Sequence, residues 1–183
     1  ELAHGLELSF EGFYKHLDEL VLAQADETRL IGARFDNLGE GRVYGAEALI
    51  TYKPDRGPFF GWIAYTLSRS ERRDATGQPY HVFAYDQTHI LTLSGSYKLG
   101  RGWEVGSTFR LVTGNPETPV VGSIFDGDID SYRPIYGEVN SARNPMFHRL
   151  DVRVEKQFRL AGYRFAGYLD LQNAYNRKNR EGT

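Results

Sequence analysis

Leu150-Asp151-Val152-Arg153-Val154-Glu155-Lys156-Gln157-Phe158 is the stretch whose reading decides the fold. Leu150, Val152, Val154 and Phe158 alternate with Asp151, Arg153, Glu155 and Gln157. A strand sends successive side chains to opposite faces, so it aligns the four apolar residues; a helix would scatter them around its axis. Lys156 interrupts the apolar row beside a turn, where a long stem can lie on apolar surface and carry its ammonium to water. The turn is Arg159-Leu160-Ala161-Gly162, and alternation resumes after it. Phe165, Leu169 and Leu171 take one face, and Arg164, Asp170 and Gln172 the other. Phe158 and Tyr163 therefore flank the turn on the apolar side.

The same decoration recurs upstream. Tyr52 and Phe59 flank Lys53-Pro54-Asp55-Arg56-Gly57-Pro58, and Tyr97 and Trp103 flank Leu99-Gly100-Arg101-Gly102. Rings gather at one end of a sheet when that end lies at a membrane–water boundary, because a ring with a polar tip or edge suits a half-wet site. Tyr52, Phe59, Tyr97, Trp103, Phe158 and Tyr163 thus read as a membrane girdle. Further alternating segments fall at 6–15, 42–53, 59–69, 88–99 and 103–113, which makes seven with 150–158 and 163–172. In the first, Leu6, Leu8, Phe10, Gly12 and Tyr14 share a face, with Phe13 the exception on the other. Most runs are roughly 10–12 residues, near the ~9–11 that a tilted strand needs to cross an apolar layer. Three connections are short turns. The others, 16–41, 70–87 and 114–148, are long and polar, with 19–24 placed to extend the strand ladder. Short turns on one side and long loops on the other is the outer-membrane pattern. The expectation is an all-β fold: an antiparallel meander of about seven or eight long strands, forming a segment of a transmembrane β-barrel.

Composition agrees. The sequence has 183 residues, net charge −2 and mean hydropathy −0.50, with no run approaching the ~18 apolar residues of a membrane helix. In a barrel only alternate residues meet lipid, so hydropathy averages toward neutral. The balanced charge gives no footprint for nucleic acid. The absence of Cys excludes disulfides and thiolate metal sites. The opening Glu1-Leu2-Ala3-His4 has no basic and apolar leader, so an export signal is expected upstream.

Three stretches resemble the C-terminal part of the barrel of TonB-dependent outer-membrane receptors. Asn37-Leu38-Gly39-Glu40-Gly41-Arg42-Val43-Tyr44-Gly45-Ala46-Glu47 resembles that family's N-x-G-x-x-x-x-x-G-x-E run. Arg143-Asn144-Pro145-Met146-Phe147-His148-Arg149-Leu150-Asp151-Val152-Arg153 is similar to its R-x-P-x-F/Y-x-x-L-D-x-R run. Tyr168-Leu169-Asp170-Leu171-Gln172-Asn173-Ala174-Tyr175-Asn176 is similar to its D-x-x-N-x-x-N strand ending. The resemblance spans residues 1–183 nearly throughout. It implies a slice of a barrel of about 22 strands. The plug, the TonB box and the final aromatic strand are expected beyond this sequence, which ends Arg180-Glu181-Gly182-Thr183. It also implies energised uptake of a scarce ligand such as a ferric siderophore, cobalamin or an oligomer. The implied partners are outer-membrane lipid, the plug of the same polypeptide, the TonB complex and a small-molecule or metal-chelate ligand, in a bacterial outer membrane. No cofactor is implied.

The candidate site residues divide by position. Glu47, Glu104, Arg110, Asp151, Arg153 and Glu155 alternate onto the polar face, as do Glu7, Glu11, Arg164 and Asp170. Paired carboxylates and bases can serve catalysis, but a barrel lumen is polar as a rule, so these read as a lumen wall that faces the plug. Arg69, Arg72, Tyr80, His81 and Tyr85 gather in or beside the 70–87 loop and are the candidate ligand contacts; Arg73, Phe83 and His89 accompany them. Asp126-Gly127-Asp128-Ile129-Asp130 invites a calcium reading. The EF-hand template then wants Gly and Glu where Ser131 and Gly137 stand, so a loop turn is expected and no metal site. Asn144-Pro145 reads as a loop-to-strand junction, because the residue before Pro prefers extended backbone. No Ser/His/Asp order, phosphate loop or metal-ligand spacing supports an enzyme.

Two other readings use the same strands. One is a complete small eight-stranded outer-membrane barrel with a structural or adhesive role, its narrow interior filled by its own charged side chains. The other is a soluble lipocalin-like binding barrel with apolar faces turned inward. Aromatic pairs gathered at one end weigh against the second.

Overall fold

A computed structural model describes residues 4–24, 34–75 and 77–179. The alternation becomes strands: β1 (Leu6–Gln24), β2 (Arg34–Tyr52), β3 (Phe59–Arg73), β4 (His81–Val82), β5 (His89–Gly100), β6 (Trp103–Val112), β7 (Pro116–Glu117), β8 (Val120–Asp126), β9 (Ser131–Tyr136), β10 (Ala142–Arg143), β11 (Phe147–Leu160) and β12 (Tyr163–Leu171). No helix occurs among the described residues.

The main sheet runs β1-β2-β3-β5-β6-β11-β12, every pair antiparallel, with β4 added against β3. Only the small loop strands interrupt chain order, so the sheet is a meander. β1 and β12 are its two edges and do not pair with each other, so the sheet is open.

Register turns seven alternating sequences into two continuous surfaces. Leu8 lies opposite Ile50, Ile50 opposite Ile63, Ile63 opposite Leu93, Leu93 opposite Phe109 and Phe109 opposite Leu150. A second row runs Tyr97, Val105, Val154, Leu169. A slip of one residue in any pair would exchange the faces. The other face is polar. Thr66 Oγ1 donates to Glu47 at 3.2 Å, Ser94 and Thr108 hydroxyls lie 3.0 Å apart, and Arg153 reaches Asp170 at 3.5 Å. Phe13, the exception in β1, lies opposite Gly45, where an added Cβ would come 2.8 Å from its ring. The ring covers the gap that the glycine leaves.

Two of the short connections have positive φ at both central residues, Arg101-Gly102 and Ala161-Gly162. That is the backbone of a two-residue hairpin turn whose twist matches its strands. Gly102 is fixed twice over: its φ is +81°, and a Cβ there would stand 2.2 Å from the Gln157 carbonyl oxygen.

The long connections are more ordered than their polarity suggests. The expected 16–41 loop is corrected: β1 continues to Gln24 and β2 begins at Arg34, past register shifts between Leu17 and Leu22. Residues 25–33 lie outside the described residues, as do 180–183. The expected 114–148 loop is corrected as well. It holds the β7–β10 pair and a β8–β9 hairpin. Hydrophobic periodicity missed them because both faces of such a hairpin are wet.

Val112, 4% exposed, and Pro116 are the buried apolar side chains among the described residues. Leu8, Ile50, Ile63, Leu169 and Leu171 are exposed on the apolar face. Domains normally bury such a face against a second layer. Here none of the described residues forms one.

Candidate functional site

At the long-loop end the loops are joined by ions. Asp86, 1% exposed, receives the Ser70 N–H at 2.6 Å, the Thr88 hydroxyl at 2.8 Å and Arg143 Nη2 at 2.5 Å. Arg143 Nη1 also donates to the carbonyls of Asp86 and Gly114, both at 3.1 Å. A carboxylate this deep requires a partnered cation. The pair ties the 74–88 connection to the 113–146 connection at their bases. Asn140 adds a second tie, donating from Nδ2 to the Val82 carbonyl at 2.7 Å.

Between these loops lies a cleft of about 430 Å³ lined by Arg69, Tyr80, His81, Glu138 and Asn140 among others. Three of the five expected ligand contacts, Arg69, Tyr80 and His81, therefore meet in one place. Arg72 and Tyr85 do not line it. Arg72 alternates to the other face of β3, with its guanidinium 4.3 Å over the Phe83 ring, and burial lowers its pKa. Tyr85 is 74% exposed and meets Phe83 edge-on at 5.5 Å.

Arg69 and the two arginines stacked on Tyr80 are already partnered. Arg42 Nε donates to Glu71 at 2.6 Å and Arg69 Nε to the same carboxylate at 3.2 Å. Arg73 pairs with Glu40, which also accepts from the Tyr80 hydroxyl at 3.5 Å. Hydrogen bonds donated to Glu71 and Glu40 raise the pKa of Arg42 and Arg73 respectively. Both guanidiniums stack on Tyr80, at 4.2 and 4.9 Å. The wall is thus an arginine–aromatic lattice of three guanidiniums on two carboxylates, one positive charge in excess, whose chemistry suits planar or anionic groups by cation–π and bidentate contacts. Glu40, Glu71, Arg42, Asp86 and Asn140 were not singled out from sequence. Asp86 and Asn140 lie in connections, Glu40 and Glu71 on strand stretches beyond the alternating segments, and Arg42 at the start of one.

The residues of the three quoted motifs have structural work. Gly45 lies under Phe13, and Arg143 holds Asp86. Asp151 pairs with Arg149 at 2.9 Å and receives the Asn173 N–H at 2.8 Å. Glu47, Arg110, Asp151 and Arg153 share the polar face by register; Glu104 and Glu155 face each other there across β6 and β11. Arg153 Nη2 reaches Glu155 at 3.0 Å, and its guanidinium lies 3.9 Å over Tyr168.

All six expected girdle residues lie on the apolar face at the short-turn end. Tyr52 stacks on Phe59 at 6.0 Å and Phe158 on Phe165 at 5.6 Å. Lys156 does what its position predicts: its ammonium lies 4.9 Å over the Trp103 ring and bonds the Arg101 carbonyl at 2.5 Å. A second aromatic row, not foreseen from sequence, closes the other end of the same face. Tyr14 lies opposite Tyr44, the Tyr65 hydroxyl meets His89 at 2.8 Å, and the Tyr175 hydroxyl meets His148 at 2.7 Å. From Tyr44 to Tyr52, and from His89 to Tyr97, the rows are nine residues apart counted inclusively.

The Asp126–Asp130 stretch is the turn of the β8–β9 hairpin. Asp126 accepts the Asp128 N–H at 3.1 Å and pairs with Arg133 at 2.5 Å. Among the described residues, His16, Asp18 and Glu40 bring three metal-capable groups within 4.8 Å, with Glu40 shared with Arg73. No family model, no curated protein and no solved structure matches this chain.

Proposed function

We propose that this chain is a wall segment of an outer-membrane β-barrel, belonging to a receptor of the TonB-dependent kind that takes up a scarce ligand such as a ferric siderophore. One observation supports the membrane part above others: a continuous apolar face, bare of any covering layer among the described residues and bounded by two aromatic rows. Nine residues from row to row matches the ~9–11 of a tilted spanning strand. Aromatic girdles at both interfaces of an outward apolar band are the expected form of such a wall.

The receptor part rests on the three sequence stretches and their order. In this reading the cleft of Arg69, Tyr80 and His81 takes the ligand from outside the cell. The polar face of Glu47, Glu104, Arg110, Asp151, Arg153 and Glu155 supports the plug of the same polypeptide. The protein transports rather than catalyses, with the TonB complex as its energy source.

The test is the mass and location of the native polypeptide, followed with an antibody to the 114–148 segment. A band several-fold heavier than 20.8 kDa in the outer-membrane fraction is expected. Uptake of ferric chelates by cells with and without the protein then identifies the ligand class. A band near 20.8 kDa would withdraw the transport reading.

A further inference from the structure

We propose that the short-turn end of the sheet binds the phosphate groups of anionic glycerophospholipids, which rests on the membrane reading above. Six exposed cations gather there: Lys53, Arg56, Lys98, Arg101, Arg159 and Arg164. None has a carboxylate within 4.0 Å among the described residues. Glu7, Asp55, Glu104 and Glu155 share this end; Glu155 pairs with Arg153 at 3.0 Å, Glu104 stands opposite Lys98 in register, and none of the four comes within 4.0 Å of these six. The excess positive charge is therefore unspent within the protein.

Its placement indicates the occupant. Arg56 and Arg101 stand in turns directly beyond the aromatic row of Tyr52, Phe59, Tyr97 and Trp103. Rings of such a row sit at headgroup level, so cations just beyond them lie at phosphate depth. Lys156 reaches the same level from the apolar face, with its ammonium over Trp103. Lys53, Lys98, Arg159 and Arg164 alternate to the polar face, away from lipid, so Arg56, Arg101 and Lys156 are the cations placed to meet a phosphate directly. Guanidinium matches phosphate geometry with paired donors, and a cation near an anionic surface attracts it at short range. A zwitterionic headgroup offers no such net attraction.

The experiment uses the complete native polypeptide reconstituted in phosphatidylcholine vesicles. Brominated phosphatidylglycerol or brominated phosphatidylcholine quenches tryptophan fluorescence, and the Trp103 contribution is the difference from a Trp103→Phe protein. Quenching by the anionic lipid is expected at a several-fold lower mole fraction, about fivefold per engaged cation. High salt should weaken the preference, and Arg56→Glu with Arg101→Glu should bring it toward unity while phosphatidylcholine quenching persists. Should that double variant fail to insert, the preference of the native protein still decides. Equal quenching by both lipids overturns the proposal and leaves the membrane reading standing. Absence of quenching by either lipid removes Trp103 from the bilayer surface and overturns both.

Discussion

At the long-loop end, Arg42, Arg69, Arg73 and Arg143 each hold a carboxylate, whereas at the short-turn end Arg56, Arg101 and Arg159 hold none. The difference follows from how each end is built. A two-residue turn is held by its own backbone twist and the adjoining ladder, so its side chains are left free. A connection of thirty-odd residues has little ladder to hold it, and its segments must be fixed to each other by side chains. Buried ions with several partners do this because leaving one unpartnered is costly. Charge is thus internal cement at one end and outward-facing at the other.

Removing the cement should have the largest effect. Arg143→Ala leaves Asp86 buried without its cation, at a cost of about 3 kcal/mol or more. Hydrogen exchange should quicken at 82–88 and 114–118 while the β5–β6 ladder stays protected. Unchanged exchange in those loops would show that the pair is ornamental.

The next test contrasts faces rather than ends. Leu93 lies opposite Ile63 and Phe109, and Ser94 bonds Thr108 on the other face. Leu93→Arg should cost about 2–4 kcal/mol on insertion into vesicles, with Ser94→Arg better tolerated. Equal tolerance of the two would refute the assignment of faces.

The smallest effect belongs to the short-turn end, where stability comes from many parts. Truncating Phe158 and Phe165 to Ala in a double-mutant cycle should give a coupling of about 0.5–1.5 kcal/mol. A coupling near zero would mean that the two rings respond to lipid and not to each other.

Strands and faces were legible because their period is written residue by residue in the chain. Leu150 to Phe158 needs no partner to be read as a strand, and register then carries its face into β6 and β12. The near girdle was legible for the same reason, since turns mark its position. The far row was hidden because it is assembled across strands: Tyr65 and His89, or His148 and Tyr175, are paired only by register and folding back. The lattice of Arg42, Glu71, Glu40, Arg73 and Tyr80 is hidden likewise. Arg42 and Glu71 are 29 positions apart and meet only because β2 and β3 run on past the apolar band. Arg72 and Arg69 looked equivalent in sequence, yet odd and even positions of one strand face opposite ways.

β1 and β2 have 19 residues each and β12 has 9, so the first strands run about 60 Å and the last about 30 Å along their own axes. In the proposed receptor, a rim so uneven would give a solute a preferred bearing. There, β1 and β2 would screen approach along the high flank. The arginine–tyrosine lattice sits on the shoulder where high rim gives way to low.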